Sequence, residues 1–253
     1  DMYHSTDYYF DSKSPALNFF AAVPYGMTAD ELCAWIEFGG GQALWDEVDA
    51  QFNIKPLMAL NTGVQMGGWF NKEVNVRADF KGLRYRMPGL GVEVLRRMGA
   101  TVVTIPGSDI VQALKSGAID GSEWVGPWVD MDMGLHTVAD YYYCPGFHEP
   151  GSNTTLGINK TLWDGLSPAE RALIEAAAQA EVTRSLAEFN AENVKSLKLL
   201  RDDKRIKILR FSDDLIKAFG KLSKEVLADT AAKDPLTRKV YDSYMAFLAG
   251  VMD

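Results

Sequence analysis

Three charged side chains stand where they could hold a small anion together with a cation. Arg86 closes the run Leu83-Arg84-Tyr85-Arg86 just before the turn Pro88-Gly89, and Glu123 closes Ala118-Ile119-Asp120-Gly121-Ser122. Glu149 lies in the glycine- and proline-punctuated segment Pro145-Gly146-Phe147-His148-Glu149-Pro150-Gly151. A guanidinium is the natural bidentate partner of a carboxylate, and a strand end beside a glycine turn presents it to a ligand. Glu123 sits between Ser122 and Trp124-Val125, with Trp128 one turn further on. A carboxylate among large aromatics is costly unless it is paired or metal-bound.

The elements around these residues must bring them to one mouth. Leu83–Arg86 reads as a strand, Gly91–Met98 as a helix closed by Gly99, and Thr101–Ile105 as a β-branched strand buried on both faces. Ser108 is placed to cap a helix running through Ile110, Ala113 and Leu114 to Gly117, after which Ala118–Ser122 supplies a third strand. This β-α-β-α-β order implies parallel strands with right-handed crossovers. Ligands of open α/β sheets bind beyond the carboxyl ends of such strands, where Arg86 and Glu123 lie. Upstream, Thr28–Phe38 and Gln42–Gln51 read as helices, and Ile54–Asn61 and Gln65–Phe70 as extended. Downstream, Ser167-Pro168-Ala169-Glu170 is a capping box with proline at the first helical position. It opens a helix long enough to bridge two lobes, with Leu173, Ala177, Ala180, Ala187, Ala191 and Val194 as its apolar stripe. Arg205–Phe211 reads as a strand, and Ser212–Ala231 and Leu236–Val251 as closing helices.

Composition narrows the function classes. Acidic residues outnumber basic ones 34 to 26, a net charge of −8, which argues against nucleic acid as a partner. No run approaches the apolar length of a membrane-spanning helix, and Asp1-Met2-Tyr3-His4 has no signal-peptide pattern. Cys33 and Cys144 form no CxxC motif and read as buried free thiols. Gly89-Leu90-Gly91 imitates the start of a dinucleotide fingerprint, but Val94 stands in place of the third glycine, and a tight strand-to-helix turn is the simpler reading. Among the three histidines there is no HExxH; His136 reads as structural, and His148 adjoins Glu149 at a pocket wall or on the surface. The clusters Tyr8-Tyr9-Phe10 and Tyr141-Tyr142-Tyr143 fit core or pocket wall, with Tyr8 a candidate substrate contact. Glu123 and Glu149 could do acid–base work, but no nucleophile stands beside them, so binding is the simpler hypothesis. The alternative is a metal-dependent enzyme acting on an oxo acid, with Glu149 or His148 as base.

Longer stretches carry a resemblance. Gly63-Val64-Gln65-Met66-Gly67-Gly68-Trp69-Phe70, Asp79-Phe80-Lys81-Gly82-Leu83-Arg84-Tyr85-Arg86 and Gly117-Ala118-Ile119-Asp120-Gly121-Ser122-Glu123-Trp124-Val125-Gly126-Pro127 resemble the solute receptors of tripartite ATP-independent periplasmic (TRAP) transporters, the DctP-type solute-binding protein family 7. Val23-Pro24-Tyr25-Gly26-Met27 and Tyr141-Tyr142-Tyr143-Cys144-Pro145-Gly146 fit as well. Gln-Met-Gly-Gly-Trp-Phe with Glu-Trp-Val-Gly-Pro is similar to the branch that receives 2-oxo acids such as pyruvate. The resemblance implies an α/β, two-lobed periplasmic binding protein fold with the ligand cleft between the lobes. It implies a periplasmic receptor that passes a small organic acid to membrane permease subunits, and a homodimer is compatible with it. Arg86 is then the carboxylate clamp, with Gln65, Trp124 and Tyr8 as further substrate contacts. A cation, Ca²⁺ or Na⁺, is held by the Gln65 side chain, the Glu123 carboxylate, the Trp124 carbonyl and Glu149. Charge counting agrees: two carboxylates, one arginine and a monocarboxylate leave about −2 in a dry cleft, which a hard cation on oxygen ligands would offset. The implied division is residues 1–80 for what is present of lobe one, 81–155 for lobe two, and 156–253 for the bridging helix and the return to lobe one. The family's chains begin with a further β-α-β stretch. Its lack of a counterpart before Asp1 leads one to expect a gap in the first lobe's sheet, bordered by Tyr3–Phe10 and Phe19–Val23. The family also carries a large aromatic where His148 stands.

Overall fold

The computed structural model describes residues 1–252. Strand β1 (Met2–Ser5) leads through short helical turns to α1 (Asn18–Ala21), α2 (Ala29–Phe38), α3 (Gly41–Asp49) and β2 (Ile54–Asn61). The middle of the chain follows as β3 (Gly68–Phe70), β4 (Arg84–Arg86), α4 (Gly91–Met98), β5 (Thr101–Val103), α5 (Gly107–Lys115), β6 (Gly121–Ser122) and α6 (Pro127–Met133). Then come β7 (Tyr141–Cys144), β8 (Asn153–Asn159), α7 (Lys160–Gly165), α8 (Pro168–Asp202), β9 (Lys207–Arg210), α9 (Asp213–Ala231) and α10 (Pro235–Met252).

Two sheets define two lobes. The smaller is antiparallel, in the order β1-β8-β2; the larger runs β5-β4-β6-β3-β7-β9. The expected parallel unit is present at its centre, since β4 pairs in parallel with both β5 and β6. The chain crosses from the small sheet to the large one between β2 and β3, and back between β7 and β8. Those two crossings carry Gln65 and Glu149.

Helix α8 joins the lobes. Its start is the capping box read from the sequence: the Ser167 amide donates to Glu170 Oε2 (2.8 Å), and the Glu170 amide donates to Ser167 Oγ (3.3 Å). Its 35 residues extend about 50 Å at ~1.5 Å per residue. On the small-sheet side the Asn61 amide donates to Ser185 Oγ at 3.2 Å; on the other side the Trp128 amide donates to Asn193 Oδ1 at 3.0 Å.

Several local expectations are corrected. The apolar stripe of α8 faces outward: Leu173 and Val194 are 71% and 72% exposed, while Ala178, Val182, Ser185, Phe189, Ser196 and Leu200 are buried. Small residues on this helix form two rows, and tertiary contacts select the row containing Phe189 and Leu200. Strand β5 is not buried on both faces, because it is the sheet's edge; only Val102 of its three residues is buried. Ser108 does not cap α5, which starts at Gly107 behind Pro106. The cysteines are free but only half-buried. Phe19–Val23 border no gap; they are buried, and Phe20 stacks between Trp35 and Trp45. Met2, Tyr9 and Phe10 are exposed, and β1 and β2 are the small sheet's edge strands.

Candidate functional site

Sheet register brings the first two charges together. Arg86 at the end of β4 is opposite Ser122 of β6, and the Glu123 amide donates to the Arg86 carbonyl at 3.3 Å. The two side chains therefore leave adjacent parallel strands at the same end. Both are about 1% exposed, and the Arg86 Nη1 group donates to Glu123 Oε1 in a short, buried ion pair. Arg86 Nη2 donates to the Tyr9 hydroxyl (3.2 Å) and Nε to the Ile105 carbonyl (3.3 Å). A guanidinium has five N–H donors, so each terminal nitrogen keeps one for another acceptor. The Trp124 ring lies 5.4 Å from the guanidinium carbon, a cation–π contact. Burial works against the Arg86 charge, but the Glu123 carboxylate and the tyrosines beside it outweigh burial and raise its affinity for the proton.

The two crossings are laced together by backbone. The Gln65 amide donates to the Glu149 carbonyl (3.1 Å), the Gly146 amide to the Gln65 carbonyl (3.0 Å) and the Met66 amide to the Val125 carbonyl (3.0 Å). Only glycine fits at position 146, because a β-carbon there would strike the Gln65 carbonyl. Gln65 and Glu149 are 4% and 2% exposed, and Gln65 Nε2 donates to Glu149 Oε2 at 2.7 Å. The Gln65 amide oxygen is left buried with no hydrogen-bond partner. Burial raises the Glu149 carboxyl to about 7, with the Glu123 charge adding to that shift and His148 pulling the other way.

His148 belongs to the site and not to the surface. It is 2% exposed, with Nε2 3.4 Å from Glu123 Oε2, and one donor atom from each of Glu123, His148 and Glu149 falls within a 4.8 Å span. Tyr8 is buried beside them, its phenol raised well above the ordinary range by burial and by Glu149. Yet Tyr9 is the tyrosine that touches Arg86, its neighbour's ring 4.8 Å away. The structure thus gathers Arg86, Glu123, Glu149, Gln65, Trp124, Tyr8 and His148. Trp128 does not join them; its ring packs on Phe189 of α8, 5.2 Å away.

Asp130 is a residue that sequence reasoning missed. It is buried in α6, accepts from Trp69 Nε1 (2.9 Å), the Tyr142 hydroxyl (2.7 Å) and the Val125 amide (3.0 Å), and is raised to about 6 by burial. It fixes the segment that carries Glu123 and Trp124. The only signal was its place three residues into a helix opened by Pro127. An open surface cavity of about 730 Å³ lined by Asn71, Lys115 and Asp140 shares none of the site residues.

What the arrangement can do is bind: a buried cation for a carboxylate, and two buried carboxylates beside an unpartnered amide oxygen for a metal ion. Comparison with known proteins agrees in kind. The profile of DctP, bacterial extracellular solute-binding protein, family 7, matches residues 1–234. A monocarboxylate 2-oxoacid-binding periplasmic protein of Nostoc sp. (strain PCC 7120) is 38% identical over 245 residues, covering 96% of this chain and 67% of that protein. A TRAP periplasmic solute-binding protein from Colwellia psychrerythraea, solved with calcium and pyruvate bound, superposes with a TM-score of 0.95 at 35% identity, over 99% of this chain and 76% of that one. Another, from Pseudoalteromonas atlantica T6c with sodium and pyruvate, gives 0.95 at 37% identity, over 99% and 76%.

Proposed function

The chain belongs to the bacterial extracellular solute-binding protein family 7, and on that premise we propose that it is a periplasmic TRAP receptor for a small 2-oxo or 2-hydroxy monocarboxylate of the pyruvate kind. It takes its ligand with a bound cation and passes it to membrane permease subunits; it is a binding protein and not an enzyme. One observation carries this reading: a fully buried arginine and two buried carboxylates converge with an amide oxygen that has no partner. An orphaned buried acceptor is rare in folded proteins and suits a metal ion. Arg86 uses its two free N–H groups for the ligand carboxylate. Gln65, Glu123, the Trp124 carbonyl and Glu149 hold the cation, and Tyr8 and Tyr9 close the pocket around the small substituent.

The charge balance explains why ion and acid bind together. Arg86, Glu123 and Glu149 sum to −1, and a monocarboxylate would bring the cleft to −2, a state that burial penalises by several kcal/mol. The cation offsets this charge and gives the ligand oxygens a second electrostatic partner. The division into residues 1–80, 81–155 and 156–253 belongs to this reading; β3, in its first segment, pairs with β6 and β7 inside the larger sheet, so the sheets change hands between β2 and β3 rather than near residue 80. A thermal-shift screen of organic acids, with and without calcium, tests the reading. Pyruvate-like acids should raise the melting temperature only with an ion present; a response confined to sugars or amines would overturn it.

A further inference from the structure

A cavity of about 320 Å³ lies between α2, the end of β2 and the middle of α8, and shares no residue with the candidate site. Ala29 and Cys33 of α2 and Val182, Leu186 and Ala187 of α8 give it apolar walls, and Asn61 is the most buried of its lining residues at 1% exposed. The Asn61 amide oxygen accepts from the Gly63 amide (2.8 Å), but its Nδ2 group has no hydrogen-bond partner. Asn153, opposite Asn61 in the small sheet, does not take it up; the Asn153 Nδ2 group donates to the Phe20 carbonyl (2.9 Å). A buried donor without an acceptor is rare in folded proteins, and an apolar hollow around one has the chemistry of a binding pocket.

The hollow sits at the hinge. A β-carbon on Gly63, in the first crossing, would lie 3.2 Å from Leu186 Cδ1, and one on Gly151, in the second, would strike the Ala29 amide nitrogen at 2.5 Å. The Thr62 amide ties the crossings together by donating to the Ser152 carbonyl (3.0 Å). Arg86, Glu123 and Glu149 are so fully covered that an acid can reach them only when the lobes part. Whatever braces the hinge therefore acts on binding in the cleft.

We propose that this hollow is a second binding site, for a small neutral molecule with a carbonyl oxygen on an apolar body, and that its occupant stabilises the closed arrangement of the lobes. The carbonyl oxygen accepts from Asn61 Nδ2, and the body packs on Val182, Leu186 and Ala187. Negative charge is disfavoured there, since Asp30 stands exposed in the lining, and burial with Glu37 and Asp30 pushes the Cys33 thiol up. The volume falls at the small end of the range for ligand pockets. The site stands apart from the receptor reading; only its effect on pyruvate rests on that reading.

Cyclohexanone is the probe, with cyclohexanecarboxylate as the charged control, in titrations followed by ¹⁵N NMR. Cyclohexanone should saturably shift the Asn61 side-chain amide and the backbone amides of Cys33 and Leu186, and the carboxylate should not. Asn61→Leu should weaken the probe at least about tenfold, because the hydrogen bond is lost. Cys33→Phe, which fills the hollow from α2, should block the probe and serves as the second variant should Asn61→Leu misfold. In calorimetry with calcium, saturating cyclohexanone should tighten pyruvate binding at least about threefold, and calcium with pyruvate should tighten cyclohexanone by the same factor. No saturable shift at these residues, or parent-like probe binding in the folded variants, overturns the site. Saturable probe binding that leaves pyruvate affinity unchanged overturns the brace. Pyruvate that fails to bind with any ion overturns the receptor reading and the brace with it, while the probe's shifts still decide the site.

Discussion

Replacing Arg86 with lysine keeps the positive charge beside Glu123, so it tests geometry rather than charge. An alanine would leave Glu123 as an uncompensated buried carboxylate and confuse binding with stability. Arg86 spreads its charge over three nitrogens that reach Glu123, Tyr9 and the Ile105 carbonyl at once. A lysine ammonium is a single point: held by Glu123, it cannot also offer two parallel N–H groups to a carboxylate. Breaking one buried charge-assisted pair costs about 2–4 kcal/mol in affinity. At ~1.4 kcal/mol per tenfold, the dissociation constant for pyruvate should rise roughly 30- to 1000-fold. Titration calorimetry at fixed calcium measures this directly, and circular dichroism establishes that the variant is folded at the assay temperature. A folded Arg86→Lys protein whose affinity stays within threefold of the parent would remove Arg86 from the role of clamp.

Glu123→Gln and Glu149→Gln should each lower cation affinity and, through it, organic-acid affinity, because ion and acid that stabilise each other's binding do so by the same factor in both directions; calorimetry showing loss of one without the other refutes the shared site. The cation-free protein should be less stable at pH 8 than at pH 5.5. Glu149, Asp7 and Asp130 are raised by burial to about 7, 6 and 6, and Asp49 to about 8. Their stabilising protons are present below the ordinary carboxylate range and lost as pH rises through these values. The lowered carboxylates Asp79, Asp120, Glu170, Asp203, Asp213 and Asp234 act in the opposite sense but titrate below that window. A melting temperature that climbs across this range without added ion would contradict the assignment. Gly146→Ala should destabilise by about 1–3 kcal/mol and weaken the cation site, because the loop carrying Glu149 must move off Gln65; unchanged melting and binding would show that the crossings are not rigidly coupled.

What could be read in the sequence was whatever local chemistry decides. The end of α4 follows from Gly99 and the start of α8 from its capping box, and the parallel direction of β4 and β6, which sets Arg86 and Glu123 at one end, follows from the β-α-β-α-β order. The buried face of α8 was not legible, since alanine and serine rows on two sides of a helix differ little until tertiary contacts choose one. Nor was the burial of β5, which depends on its place at an edge. Within the site, Arg86, Glu123 and Glu149 were visible as charges at element ends, and Gln65 and Trp124 through resemblance alone. Tyr9, not Tyr8, meets Arg86 because a short helical turn after β1 aims adjacent tyrosines differently, and no periodicity reveals that aim. Asp130 was hidden because its three partners come from β3, β7 and the segment after β6.

In the proposed receptor, acid and ion occupy one site and depend on each other for binding. Pyruvate titrated into protein stripped of divalent ions by chelator, in a buffer with choline in place of sodium, should give no measurable heat of binding. Adding back calcium or sodium should restore saturable one-to-one binding. Equal pyruvate affinity in the stripped and replenished buffers would contradict the account.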